Sequence, residues 1–136
     1  MAIRLGSAVI VRRGDAILLG QRGKEPNYGK WIVPGGGVHE FESIRDAACR
    51  EIAEEAGLDI KYGAVISVKE VIVRSLEHRV IVYSTADVEA DAEPRASSDL
   101  LQARFFSRSE LEAIVSDISD VVRELLEETG WLVPRR

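Results

Sequence analysis

The segment at residues 36–58 constrains this chain more than any other. It reads GGVHEFESIRDAACREIAEEAGL, and its acids recur at fixed offsets on a predicted helix. Glu51, Glu54 and Glu55 stand at positions i, i+3 and i+4, which fall within an arc of roughly 100° on a helix. Like charges at these spacings repel each other unless a cation lies between them. Hard carboxylate oxygens suit Mg²⁺, whereas the alternative interpretation is a solvated acidic helix face.

The predicted helix has recognisable ends and an apolar face. Ser43 is a helix-capping residue with Asp46 three positions later, and Gly57 suits the left-handed position that ends a helix. The apolar side is predicted to pack through four residues, namely Ile44, Ala48, Ile52 and Ala56. We therefore expect the glutamates to face a cleft while the small alanines let the helix approach a sheet.

The rest of the chain alternates β-rich runs with turn signals. Apolar runs bounded by Gly, Pro, Asn and Asp predict strands at 3–12, 16–20, 31–33, 60–73, 79–88 and 101–106. A helix is predicted at 107–115, opening with a capping box at Ser107 and Glu110, and another at 117–129, closed by Gly130. The pattern predicts a mixture of α and β elements.

Size and charge limit the partners. The 136 residues fit one domain, and a net charge of −5 argues against a long nucleic acid or an anionic membrane as the main partner. A small phosphate ligand stays compatible, because a bound metal inverts the local sign. Cys49 is the only cysteine, so no intramolecular disulfide forms. Without a secretory signal or a long apolar run, the expected compartment is the cytoplasm.

The acidic segment resembles the Nudix box, the signature of the Nudix hydrolases. The residues that carry this resemblance keep the spacing of the box: Gly36, Glu42, Arg50, Glu51, Glu54, Glu55, Gly57 and Leu58. The resemblance implies an α/β/α sandwich with a central mixed sheet, as one domain at 1–131 with a short tail at 132–136. It also implies metal-dependent hydrolysis, with Mg²⁺ or Mn²⁺, of a diphosphate bond in a nucleoside diphosphate linked to a further group X.

The resemblance also suggests roles for the residues of the box. Glu51, Glu54 and Glu55 are the expected metal ligands, with a main-chain carbonyl at Gly35 or Gly36 as a further oxygen. Arg50 is expected to pair with a box glutamate. Glycines at 35–37 let the backbone approach phosphates without a Cβ in the way. The role of Glu42 stays open between a helix-dipole acid and a part in the site.

The substrate contacts are less defined. The candidates are Arg22 for a phosphate, Tyr28 for stacking on a base, Gly36 and Gly37 for the phosphates, and Trp31, His78 and Phe105 for the pocket. Core packing is the alternative for Trp31 and for one residue of the Phe105–Phe106 pair, and a polar strand entry is the alternative for His78.

One position departs from the family pattern. Phe41 stands where relatives commonly have a glycine before the box glutamate, so the turn there is expected to differ. His39 stands where many have a glutamate, and it is expected to hydrogen-bond locally, with a ligand or base role as the alternative.

Several substrates and one non-catalytic role remain open. A nucleoside triphosphate pyrophosphohydrolase ranks first, and an NDP-sugar or ADP-ribose pyrophosphatase ranks second. A nucleotide-binding module without catalysis is the third hypothesis. The presence of all the glutamates of the box disfavours it. The expected partner is a small nucleotide, and a homodimer stays open as the assembly.

Overall fold

One mixed sheet forms the centre of the protein. The computed structural model describes residues 2–97 and 99–135. Within this part of the chain the strands are β1 (Arg4–Arg13), β2 (Ala16–Arg22), β3 (Trp31–Ile32), β4 (Gly35–Gly37), β5 (Lys61–Val73), β6 (Glu77–Asp87) and β7 (Leu100–Ser107). The helices are α1 (Ile44–Ala56), α2 (Arg108–Ala113) and α3 (Asp120–Glu128), and a 3-10 turn at Val115–Asp117 precedes α3.

The strand order makes the sheet mixed, as predicted. The path runs β3-β2-β1-β6-β5, with β4 paired to β1 and β7 paired to β2. β1 and β6 are parallel, whereas the other pairings are antiparallel. One edge of β1 therefore carries β6, and its other edge carries first the short β4 and then β2. β5 ends the path because it pairs with β6 alone in the described residues.

The alternation of side chains along β1 gives the sheet two buried faces. Val9 and Val11 belong to a cluster with Ala48 and Ile52 of α1, whereas Ile10 belongs to a cluster on the opposite face. That second cluster contains Leu111 of α2 and Val122, Leu125 and Leu126 of α3. Because successive residues of a strand point to opposite faces, one strand serves both layers. The predicted α/β/α sandwich is confirmed.

The ends and the packing of α1 follow the prediction. The Ser43 side chain accepts a hydrogen bond from the Asp46 backbone N–H at 3.0 Å. Gly57 has a φ of 66° and donates its N–H to the Ala53 carbonyl at 3.1 Å. Ala48, Ile52 and Ala56 are fully buried, and Ile44 is half-buried. Burial of Ile52 contributes about 1.5–3 kcal/mol to the free energy of unfolding.

Several boundaries differ from the prediction. The glycines after Pro34 form strand β4 rather than ending the extended chain, because they pair with Gly6, Ser7 and Ala8 of β1. α3 begins at Asp120 instead of 117, since the 3-10 turn takes up the preceding residues. Leu132, assigned to the tail, is buried in the core. Ser98, which stands between the predicted strands at 79–88 and 101–106, and Arg136 of the predicted tail lie outside the described residues.

The helices were also compared with what a membrane-spanning helix requires. None of the helices in the described part of the chain has both the length and the apolar character needed to cross a bilayer.

Candidate active site

The glycine strand β4 and helix α1 lie against each other and form the centre of the site. Gly36 packs so closely on Glu51 that a Cβ at this position would collide with the carboxylate. Gly35 donates its backbone N–H to Glu55 Oε2 at 3.2 Å. The absence of a side chain on the strand is therefore what lets two carboxylates of the helix reach its backbone. This close approach of the backbone is the role that was predicted for the glycines.

Arg50 connects α1 to the residues around it through hydrogen bonds of its guanidinium group. Its Nε and Nη2 donate to the two oxygens of Glu42 at 2.8 and 2.9 Å, and its Nη1 donates to Glu51 Oε1 at 2.6 Å. The Nη2 also donates to the Gly37 carbonyl at 2.8 Å. The contact with Glu54 is longer, at 3.4 Å. A planar fork with fixed donors can satisfy several acceptors at once, so Arg50 orients the Glu51 carboxylate beneath the glycines.

Glu42 belongs to the site, although the sequence left its role open. Hydrogen bonds from Arg50 and from the His39 backbone N–H lower the pKa of Glu42 to about 2. The same ion pair, with Glu51 adding to it, raises the pKa of Arg50 above its ordinary value. Glu42 is therefore a permanent counter-ion of Arg50, eight residues away along the chain. Only the box resemblance signalled it before the fold was known.

The surroundings of Glu55 raise the pKa of its carboxyl group. Burial, with the charge of Glu51 adding to it, raises the pKa of Glu55 from 4.5 to about 7, against the opposing hydrogen bond from Gly35. Desolvation and a neighbouring like charge both disfavour the ionised form. A divalent cation beside these two carboxylates would reverse this effect.

The donor chemistry fits Mg²⁺ or Mn²⁺ at Glu51 and Glu55. Both are hard oxygen donors, and the pKa of Glu55 is raised first by its burial and then by the charge of Glu51, both of which a bound cation would offset. Glu54 turns instead towards Arg50 and is more exposed. Among the described residues no three or more acids, histidines or cysteines are already gathered around one point. The three-glutamate ligand set with the Gly35 carbonyl therefore stays a prediction.

A cleft adjoins the glycine strand. Its volume is about 430 Å³, and Gly35, Gly36 and Gly37 form part of its wall. The remaining wall comes from the starts of β1 and β6, from the end of β2 and the loop after it, from Ile32 and Val33, from Val71 of β5, and from the first turn of α3. The polar and aromatic residues among them are Arg4, Ser7, Arg22, Asn27, Arg79, Tyr83, Ser119 and Asp120. The charged residues of the cleft wall are three arginines and one aspartate, and Arg79 among them pairs with Glu77 at 2.9 Å. This excess of positive charge within an acidic chain suits an anionic ligand.

Arg22 lies in the cleft wall as predicted, but its guanidinium is already engaged. Its Nε donates to the Pro26 carbonyl at 2.6 Å and thereby stabilises the loop that follows β2. Tyr28 of that loop is 58% exposed and is not part of the cleft wall. The predicted phosphate contact of Arg22 and base contact of Tyr28 stay predictions.

The three other candidates for the pocket lie away from the cleft. Trp31 is buried at 6% exposure and packs edge-on against Phe106, with ring centroids 4.8 Å apart. Phe105 is buried on the opposite face of the sheet, below the guanidinium of Arg13. His78 Nε2 lies 2.7 Å from Glu70 on the neighbouring strand. The packing alternatives describe Trp31 and Phe105, and a substrate role for these three residues has no support from their positions.

Most polar residues of the cleft wall were not among the predicted site residues, and four of them show why. Arg4, Arg79 and Tyr83 reach the cleft only because β1 and β6 are adjacent and parallel, with Arg4 and Arg79 as direct register partners. Asp120 was assigned to the interior of a helix, whereas it begins α3 beside the cleft. Its only local signal was the preceding Ser119, which is the residue at the N-cap position.

The departure at Phe41 has a structural counterpart. Phe41 has a φ of 64° and is fully exposed, so a phenylalanine holds the left-handed backbone for which glycine is the usual residue. A side chain at this φ costs backbone strain. That the turn differs from the turn of relatives stays a prediction. His39 is also exposed, and its Nδ1 lies 3.9 Å from Glu42.

Comparison with known proteins agrees with this fold and site. The family model described as the NUDIX domain matches residues 2–120. The chain therefore belongs to the Nudix hydrolase family. A solved structure of a MutT Nudix hydrolase from Burkholderia pseudomallei superimposes with a TM-score of 0.81 at 28% identity, covering 93% of this chain and 98% of that one.

Two curated relatives carry names that specify substrates. An ADP-ribose pyrophosphatase of Methanocaldococcus jannaschii is 30% identical over 118 residues, which cover 86% of this chain and 69% of that protein. The 8-oxo-dGDP phosphatase NUDT18 of Danio rerio is 33% identical over 102 residues, which cover 74% of this chain. This match spans only 31% of the Danio rerio protein, so the activity of that whole protein is not carried over to this chain.

Proposed function

We propose that this protein hydrolyses the diphosphate bond of a nucleoside diphosphate linked to a group X, with Mg²⁺ or Mn²⁺ as cofactor. The observation that carries the proposal is the position of Glu51, which Arg50 holds at 2.6 Å beneath the glycine strand at the edge of an electropositive cleft. A merely solvated acidic face would leave this carboxylate exposed, whereas Glu51 is 9% exposed. The buried acids likewise argue against a binding module without catalysis.

Each part of the site contributes a separate property to this reaction. The glycines of β4 allow the diphosphate to approach the backbone, and the arginines of the cleft attract its negative charge. Arg50 and Glu42 fix the Glu51 carboxylate in one orientation, which reduces the reorganisation needed when charge develops. The divalent cation, held by Glu51 and Glu55 with Glu54 as the third candidate, would neutralise the diphosphate and acidify a bound water.

Two substrate classes follow from this proposal. A nucleoside triphosphate, cleaved to a monophosphate and pyrophosphate, is the expectation from the sequence. ADP-ribose or a sugar nucleotide, cleaved to a nucleoside monophosphate and a sugar phosphate, has the support of the Methanocaldococcus jannaschii relative. In both cases the nucleotide is a small partner, and the acidic chain offers no extended basic stripe for a long nucleic acid.

The test is a product assay on the purified protein. Nucleoside triphosphates, 8-oxo-dGDP, ADP-ribose and sugar nucleotides are each incubated with Mg²⁺ or Mn²⁺, and the products are separated by ion-exchange chromatography. Cleavage in ¹⁸O-labelled water then identifies the phosphorus atom that is attacked. From 8-oxo-dGDP the proposal expects the monophosphate and orthophosphate. Release of orthophosphate alone from the triphosphates, ADP-ribose and sugar nucleotides, or turnover that is unchanged in excess chelator, contradicts the proposal.

Glu54→Gln and Glu55→Gln test the carboxylates separately. Loss of a charged ligand should lower kcat by about a hundredfold or more, because several kcal/mol of transition-state stabilisation are removed. Glu89→Gln is the matched control, since Glu89 is an exposed acid in the loop after β6. Equal activity of all three variants contradicts the assignment of the site.

A further inference from the structure

The exposed apolar residues of this protein are concentrated along β5. In the described part of the chain twelve large apolar residues are exposed, and eight of them lie on β5, on the turn after it or at the start of β1. We call the six on β5 and its turn the β5 surface: Val65, Ile66, Val68, Ile72, Val73 and Leu76. Val68 and Ile72 lie on one face of the sheet and Val73 lies on the other, so the exposed apolar residues flank the outer edge of β5 on both faces. Exposed apolar residues concentrated in this way mark interaction sites in soluble proteins.

The register explains why this surface is uncovered. Val68 pairs with Val82, and Ile72 pairs with His78, so these residues share a sheet face with the alternating residues of β6. The same face is covered by α1 further along, where Ala86 packs in the cluster of Ile52. α1 thus covers one end of the face and leaves the β5 end open, where Val68 and Ile72 are 59% and 60% exposed.

The backbone edge of β5 is open as well. From Ser67 to Val73 the pairing with β6 is regular, whereas the bulges lie earlier in the strand. This stretch contains no proline, and the side chain of its one lysine is engaged elsewhere. Lys69 is drawn towards α3, where it contacts Glu124 at 2.9 Å and Glu128 at 2.6 Å. Natural proteins usually protect long edge strands with prolines, bulges or charged side chains, because an open edge pairs with another strand.

Charge favours a second copy of the same chain as the occupant. A two-fold axis brings identical patches together, so a patch with an excess of one sign would repel itself. The chain carries a net charge of −5, yet the regular stretch of β5 holds only two charged residues. Lys69 is matched by the acids of α3, and Glu70 lies 2.7 Å from His78. A two-fold axis also places two copies of the same edge strand antiparallel to each other, which is an orientation that allows them to pair.

We propose that two copies of this chain form a two-fold dimer through the edge of β5 and the β5 surface. The sheets of the two copies then continue into one another across the two-fold axis. Val71, which belongs to the same strand, lines the cleft of the site, so the dimer supports the cleft wall from outside. This inference does not depend on the substrate or on catalysis.

The test compares two pairs of substitutions by light scattering after size-exclusion chromatography. The double variant Val68→Lys with Ile72→Lys places charges on the β5 surface and should have the mass of one chain. The control, Leu101→Lys with Val133→Lys, changes apolar residues of similar exposure, 49% and 69%, outside this surface and should keep the mass of two chains, as the unchanged protein does. Circular dichroism and thermal unfolding establish that each variant is folded.

Three results overturn the proposal. They are a single-chain mass for the unchanged protein at every concentration, a two-chain mass for the folded β5 variant, and dissociation of the control. If the β5 variant does not fold, amide hydrogen exchange of the unchanged protein tests the dimer instead. Slow exchange of those amides within residues 67–73 that do not pair with β6 supports the dimer, and fast exchange of these amides at high protein concentration overturns it.

Discussion

Arg50 is the residue whose loss should most clearly separate a functional ion-pair network from an ordinary surface pair. The side chains of Arg50, Glu42 and Glu51 are 23%, 15% and 11% exposed, and the guanidinium donates to both carboxylates at 2.9 Å or less. In Arg50→Ala both acids lose their counter-ion while Glu51 stays buried. Removing one partner of a buried pair costs about 3–5 kcal/mol, and partial exposure puts this case near 3 kcal/mol.

The chain provides its own control for this prediction. Arg12 forms a bidentate pair with Asp87 at 3.0 and 3.1 Å, but the two side chains are 40% and 54% exposed. Arg12→Ala should therefore cost about 0–1 kcal/mol. Arg50→Lys should recover only part of the loss, because one ammonium cannot reproduce the planar fork that serves two carboxylates.

Urea unfolding at neutral pH measures these differences. Fluorescence is a suitable probe, since Trp31 and Trp131 are both buried at 6% and 9% exposure. The midpoints are comparable only when the denaturant dependence is unchanged among the variants. Activity of folded Arg50→Lys should also fall, because Glu51 loses its fixed orientation. Equal destabilisation by Arg50→Ala and Arg12→Ala, or a fully active and stable Arg50→Lys, would refute the reasoning.

Three further predictions concern single positions. Because the folded protein raises the pKa of Glu55 from 4.5 to about 7, its ionisation lowers stability as the pH rises through this range. In chelator, Glu55→Gln should therefore stabilise the protein by about 2–3 kcal/mol above pH 7 and by little below pH 4.5; urea unfolding with an equal gain at both pH values would contradict this. Phe41→Gly should raise stability by about 0.5–1 kcal/mol, since it relieves a left-handed φ of 64° at a fully exposed side chain, and a lower melting temperature would argue against it. Ile52→Ala should lower the free energy of unfolding by about 2–5 kcal/mol, whereas a change below 1 kcal/mol would show that Ile52 does not anchor α1 to the sheet.

Local sequence determined the helix ends and the register of the acids. Ser43 and Gly57 delimit α1, and Ser107 with Glu110 opens α2 as predicted, because capping bonds span only three or four residues. The offsets of Glu51 and Glu55 likewise follow from the helix period. Family and fold could therefore be inferred from the box and from the alternation of β-rich and helical patterns.

Only the tertiary structure decided which residues surround the site. The parallel pairing of β1 with β6 brings Arg4 next to Arg79 in the cleft wall, although 75 positions separate them in the printed sequence. Trp31 and Phe105 are aromatic residues of a kind that often lines ligand pockets. In the folded protein, strand pairing buries them on opposite faces of the sheet. Local patterns do not contain these outcomes, because strand order and register are set by contacts between distant segments.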